Sequence, residues 1–69
     1  MRTANHFIIT EYEEYSEPDY DEQGNLIRYI WVEEKDKMHT GDIIQLGNSY
    51  EKYLIVAVMK NCVAVRNII

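Results

Sequence analysis

Tyr50-Glu51-Lys52-Tyr53-Leu54-Ile55-Val56-Ala57-Val58-Met59-Lys60-Asn61-Cys62-Val63-Ala64-Val65-Arg66-Asn67-Ile68 is the stretch whose reading decides the fold. It reads as two apolar strands, about Tyr50 to Met59 and about Cys62 to Ile68. In the first, Leu54, Val56 and Val58 share one face, and Tyr53, Ile55, Ala57 and Met59 the other. In the second, Val63 and Val65 alternate against Cys62, Ala64 and Arg66. A helix over Tyr50 to Met59 is the competing reading, because Glu51 to Met59 contains helix formers. The β-branched Ile55, Val56 and Val58 argue against it, since they suit a pleated surface better than a helix. So does the second strand-like run, which follows after only Lys60-Asn61. Asn tolerates the left-handed conformation that a two-residue hairpin turn requires.

Outward from this hairpin the chain keeps the same grammar of short apolar runs and turn residues. Thr40-Gly41 introduces a strand at about Asp42 to Leu46, and Gly47-Asn48-Ser49 is a short turn after it. Another strand spans about Leu26 to Glu34. Ile27, Tyr29 and Trp31 share one face of it; Leu26, Arg28, Ile30 and Val32 share the other. Both faces being largely apolar calls for a bent strand or an edge covered by a partner. The first strand spans about His6 to Tyr15, with Phe7 and Ile9 opposite Ile8, Thr10 and Tyr12. Pro18 opposes regular pairing early in the connection Ser16 to Asn25, and Gly24-Asn25 suits a hairpin closed through a bulge. Lys35 to Thr40 is polar. No stretch holds a helical period over three turns.

Sixty-nine residues make one small domain with a marginal core. A single Cys and two His give neither a disulfide nor a zinc set. Cys62, in an apolar run, reads as a small buried hydrophobe. The start Met1-Arg2-Thr3-Ala4-Asn5-His6 lacks the apolar core of a signal peptide. The apolar run Tyr53 to Met59 is far short of the roughly 20 residues of a membrane span. The expectation is a cytoplasmic protein that makes no membrane contact.

The order of these runs is a first strand, a long acidic loop, a second strand, then Gly41-Asp42-Ile43-Ile44-Gln45-Leu46 and a tight hairpin. It resembles SH3-like small barrels, in which a Gly-Asp pair often opens a strand. The resemblance implies an all-β domain over residues 1–69: a five-stranded SH3-like barrel or a strongly bent antiparallel sheet. It implies no function, because such barrels serve many. Tyr20-Asp21-Glu22-Gln23-Gly24-Asn25-Leu26 resembles the hairpins of bacterial repeat-rich shell proteins, which implies a hairpin there.

The formal net charge is −5, and it is not spread evenly. Glu11, Glu13, Glu14, Glu17, Asp19, Asp21 and Glu22 fall within twelve residues that hold no Lys or Arg. The other 57 residues hold five acids and all seven bases, a net of +2. Tyr12, Tyr15 and Tyr20 are interleaved with the acids. A solvated loop that guards a sheet edge is the plain explanation. The functional one is a partner-binding patch for a basic protein surface: carboxylates accept from Arg and Lys, and Tyr gives contact area at low entropic cost. Trp31, beside Tyr29, reads as core packing, with an exposed recognition aromatic as the alternative. Asp19-Tyr20-Asp21-Glu22-Gln23-Gly24 matches the opening of a calcium loop, but Gln23 and Ile30 stand where such loops need oxygen ligands, and the flanks are strand-like. His6 and His39 are far apart in sequence, and Ser16 and Ser49 sit in turns, so no nucleophile is assembled.

The expectation is therefore a non-catalytic interaction protein with no cofactor and no metal. Its specific form is a phage-type inhibitor, whose Glu11 to Glu22 segment binds a basic, nucleic-acid-binding host protein. Two alternatives remain. One is an oligomeric assembly module using the two-sided apolar strands. The other is an SH3-like nucleic-acid binder using the scattered bases, which the overall acidity opposes.

Overall fold

The computed structural model describes residues 3–15, 17–47 and 51–68. In chain order the strands are β1 (His6–Ile9), β2 (Glu13–Glu14), β3 (Asp19–Tyr20), β4 (Leu26–Trp31), β5 (Ile43–Leu46), β6 (Lys52–Val58) and β7 (Val63–Asn67). A 3₁₀ helix at Glu33–Lys37 separates β4 from β5. The strands form one sheet in the order β1-β5-β6-β7-β4-β2, with β3 also on β4. The architecture is all-β, a curled half-barrel compatible with a small SH3-like barrel. None of the described residues forms a helix long and apolar enough to cross a membrane.

The sheet is mixed, because β1 runs parallel to β5 while every other pairing is antiparallel. Tracing these senses through the sheet makes β1 and β2 run the same way at its opposite ends. They are two halves of one expected strand, broken at Thr10–Tyr12. The first half pairs with β5 and the second with β4, so the chain kinks where it changes edges. The kink also reverses an expected side: Tyr12 does not follow Ile8 outward but packs against the core with Phe7.

Asp42 ties β1 to this sheet. It is fully buried, and its two carboxylate oxygens accept from the backbone N–H groups of Asn5 and His39, each at 3.0 Å. Ile43 N–H donates to the Asn5 carbonyl at 2.9 Å, and Gly47 N–H to that of Ile9 at 2.7 Å. Gly41, at φ +98°, makes the turn that aims Asp42 inward.

Ile30, Ile44, Ile55, Val63 and Val65 form the centre of the core, fully buried on the concave face. Val32 and Met38 close one end of it from either side of the 3₁₀ helix. That helix falls where the second strand was expected to run on to Glu34. Val32 is still extended and buried, and the turn then closes through Lys35 N–H to the Val32 carbonyl at 3.2 Å. β4 is not an edge: β7 flanks one side of it, and β2 and β3 share the other.

The β6–β7 hairpin stands as expected from Lys52 onward; Tyr50, Asn48, Ser49 and Ser16 lie outside the described residues. Met59 N–H donates to the Cys62 carbonyl at 2.8 Å, which leaves Lys60-Asn61 as the turn. Asn61 does not take the left-handed conformation expected of it, since no described residue other than glycine has positive φ. A register shift between Ile55 and Ala57 makes Val56 an extra residue, a β-bulge in the pairing with β7; the expected alternation holds, with Tyr53 and Ile55 buried and Val56 and Val58 on the surface. Cys62 is buried as expected.

Candidate functional site

Strand alternation turns Ile30 into the core and Trp31 to the convex face. Trp31 is 44% exposed, which corrects its reading as a core residue. Glu13 stands directly across from it in β2. The chain following Trp31 then supplies Glu33 and Glu34. On the other side come the end of β1, Ile8 and Ile9, and the kink, Thr10 to Tyr12. These residues line one open cleft of about 550 Å³. Among the described residues, its lining holds Glu11, Glu13, Glu33 and Glu34, and no Lys or Arg. A shallower depression of about 380 Å³ adjoins it, lined by Glu13, Tyr15, Trp31 and Asn61. Tyr15 is fixed at both ends: its N–H donates to the Tyr29 carbonyl at 2.7 Å, and its hydroxyl accepts from Asn61 Nδ2 at 3.2 Å.

The predicted acidic segment is thus divided among three environments. Glu11, Tyr12, Glu13 and Tyr15 border the Trp31 cleft. Glu14 faces the concave side, across from Ile30, and forms an ion pair with Arg28. Glu17, Asp19, Tyr20, Asp21 and Glu22 belong to the β3–β4 hairpin and its approach, and none of them lines either cleft. Tyr20 is 68% exposed there.

Three of the segment's carboxylates, Asp19, Asp21 and Glu14, have partners within the fold, and Asp19 Oδ1 accepts from the Tyr20 N–H at 2.8 Å. Asp21 organises the β3–β4 turn, its Oδ1 accepting from the N–H groups of Gln23 at 2.9 Å and Asn25 at 2.8 Å. These bonds, the Asn25 N–H above all, hold its carboxyl below the ordinary value. Gly24, at φ +83°, completes the bulged turn expected there. Glu14 belongs to a chain of four polar groups. Arg28 donates to Glu14 and, through Nη1, to the Tyr53 hydroxyl at 2.9 Å, and that hydroxyl donates to Glu51 Oε2 at 3.0 Å. The guanidinium carbon also lies 5.3 Å from the Tyr53 ring centre. Burial opposes the charge on Arg28, but the bonds to Glu14 and Tyr53 outweigh it and raise its pKa. Burial raises the pKa of Tyr53.

No protein-family model, curated protein or solved structure matches the chain. Ile8, Ile9, Thr10, Trp31, Glu33 and Glu34 are the members of the cleft that the acidic segment did not include. Trp31-Val32-Glu33-Glu34 carried a usable signal, an aromatic on the face opposite Ile30 with two acids just beyond it. Ile8 had none, since its place beside Trp31 depends on the β1–β5 pairing.

Proposed function

We propose that this chain is a non-catalytic interaction protein whose Trp31 cleft docks basic side chains of a partner protein. The observation that carries this reading is an exposed Trp in an open cleft lined by four glutamates with no Lys or Arg among the described residues that line it. A Lys or Arg over the indole face gains roughly 0.5–2 kcal/mol, and flanking carboxylates add roughly 0.2–1 kcal/mol each. Several such contacts steer association, and salt weakens them. Masking a basic site on a host protein, as a phage-type inhibitor would, is the specific form of the proposal. Nucleic acid is the poorer partner, because Arg28 and Lys35 are directed to Tyr53, Glu14 and the Met59 carbonyl within the fold.

Trp31 is the sole Trp, so its fluorescence reports on the cleft alone. Titration with a lysine-rich peptide at low ionic strength should shift its emission, and salt near 0.15 M should weaken the response by about tenfold or more. Reversing Glu11, Glu13 and Glu33 to Lys should abolish it. An unchanged affinity in that triple variant would refute the proposal.

A second reading has its own observation. Val56, Val58 and Met59 are exposed together at the end of β6, an apolar surface suited to a second copy. Sedimentation at tens of micromolar tests it, and a strict monomer would exclude it.

A further inference from the structure

We propose that the partner enters the cleft as an extended strand paired to the open edge of β1, and so delivers a lysine or arginine to Trp31. This rests on the docking reading above and adds its backbone geometry. β1 is the terminal strand of the sheet path, paired with β5 on one edge. On that edge Asn5 and Ile9 accept from Ile43 and Gly47. Groups along a parallel ladder alternate with a period of two, so Phe7 also faces β5, and the N–H and C=O groups of His6 and Ile8 face the open edge. Ile8 lines the Trp31 cleft and is 67% exposed. The open edge and the exposed indole therefore share one cleft.

Natural sheets guard such edges with lysines, prolines, bulges or a covering segment. β1, His6-Phe7-Ile8-Ile9, carries no proline, lysine or carboxylate. The glutamates stand beyond it, at the kink and on the opposite wall. That placement selects the occupant. A second copy of the chain would bring Glu11, Glu13, Glu33 and Glu34 against their own equivalents. A basic extended segment meets the same four carboxylates with opposite charge. Main-chain bonds would supply affinity, and alternate side chains specificity, as in other cases of strand addition. Since every second side chain of a strand faces the same way, the partner should carry basic residues at alternate positions, about 6.6 Å apart.

The test uses an eight-residue peptide alternating lysine and threonine, with two versions of it N-methylated at one or the other set of alternate residues. Trp31 fluorescence reads binding, and amide exchange reads His6 and Ile8. Both amides should gain about tenfold protection or more on binding. One methylation pattern, on the edge that pairs, should weaken binding by about tenfold, and the other should not. Ile8→Pro removes an N–H from the open edge while leaving the donors to β5, and should weaken the unmethylated peptide similarly. If Trp31 responds but the two amides exchange as before and both methylated peptides bind alike, strand pairing is wrong and the docking reading stands. If Trp31 does not respond to the unmethylated peptide at low salt, both fall.

Discussion

Replacing Asp42 with Ala should remove most of the stability of this domain, and with it one wall of the cleft. The carboxylate accepts from two backbone N–H groups, that of Asn5 at the entrance to β1 and that of His39 in the turn before β5, each at 3.0 Å, and is itself fully buried. Alanine supplies no acceptor for either donor. Each orphaned donor costs about 1–3 kcal/mol, so the pair costs about 2–6 kcal/mol. A domain of this size has in total roughly 3–10 kcal/mol to lose. Asp42→Asn keeps the volume and one carbonyl acceptor, and its loss should fall between wild type and Ala. Urea unfolding followed by far-ultraviolet circular dichroism measures both. With a slope near 1 kcal/mol per molar, Asp42→Ala should shift the midpoint by about 2 M or leave no cooperative transition. A loss below about 0.5 kcal/mol would refute the reasoning, for it would mean that Asn5 and His39 find other acceptors and that Asp42 does not tie β1 to the sheet.

Three further outcomes follow from the turn and the polar chain. Gly24→Ala should cost about 1 kcal/mol in the same assay, because its φ is +83° while an added Cβ would meet no atom of the surrounding fold within 4 Å, so the penalty is conformational alone. Tyr53→Phe should cost roughly 1–2 kcal/mol, since Arg28 loses an acceptor and Glu51 a donor. It should also flatten the alkaline limb of stability: the raised Tyr53 pKa favours the folded state fully below about pH 10, and that contribution is lost as pH rises through the raised value. Asp21 works in the opposite sense, its lowered pKa stabilising the fold above pH 3.8 and ceasing to do so as pH falls through the lower value. The difference in midpoint between wild type and Asp21→Ala should therefore be constant near neutrality and shrink in acid.

The strands that pair with a sequence neighbour were legible, and the pairings across the chain were not. β-branched runs on either side of Lys60-Asn61 specify the β6–β7 hairpin locally, and Gly24 with Asp21 specifies the β3–β4 turn. The parallel β1–β5 ladder leaves no such mark, because its partners are far apart in sequence and its key acceptor, Asp42, reads simply as the start of a strand. The break at Thr10–Tyr12 was hidden for the same reason: apolar alternation continues through it, and only the sheet order shows why the chain must change edges. Of the candidate site, the acids were visible and their grouping was not. Charge density alone merges Glu11 and Glu13 with Glu14, which alternation turns toward Arg28, and with Asp21, which a turn consumes. Trp31 was misplaced because an apolar strand face with Tyr29 looks the same in sequence whether it meets a core or solvent.

The tie through Asp42 also orders events in time. It joins residues 37 apart, whereas β5, β6 and β7 form a meander of near neighbours. Closing a long loop costs entropy before its contacts repay it, so the meander should assemble first and the N-terminal strand should dock last. Substitutions at Asp42 should then accelerate unfolding while leaving the refolding rate almost unchanged, whereas truncation of Val63 or Ile55 should slow refolding. The same order makes β1 the first strand to detach in the native state. The wall that carries Ile8 would thus be the part of the molecule that opens and recloses most often.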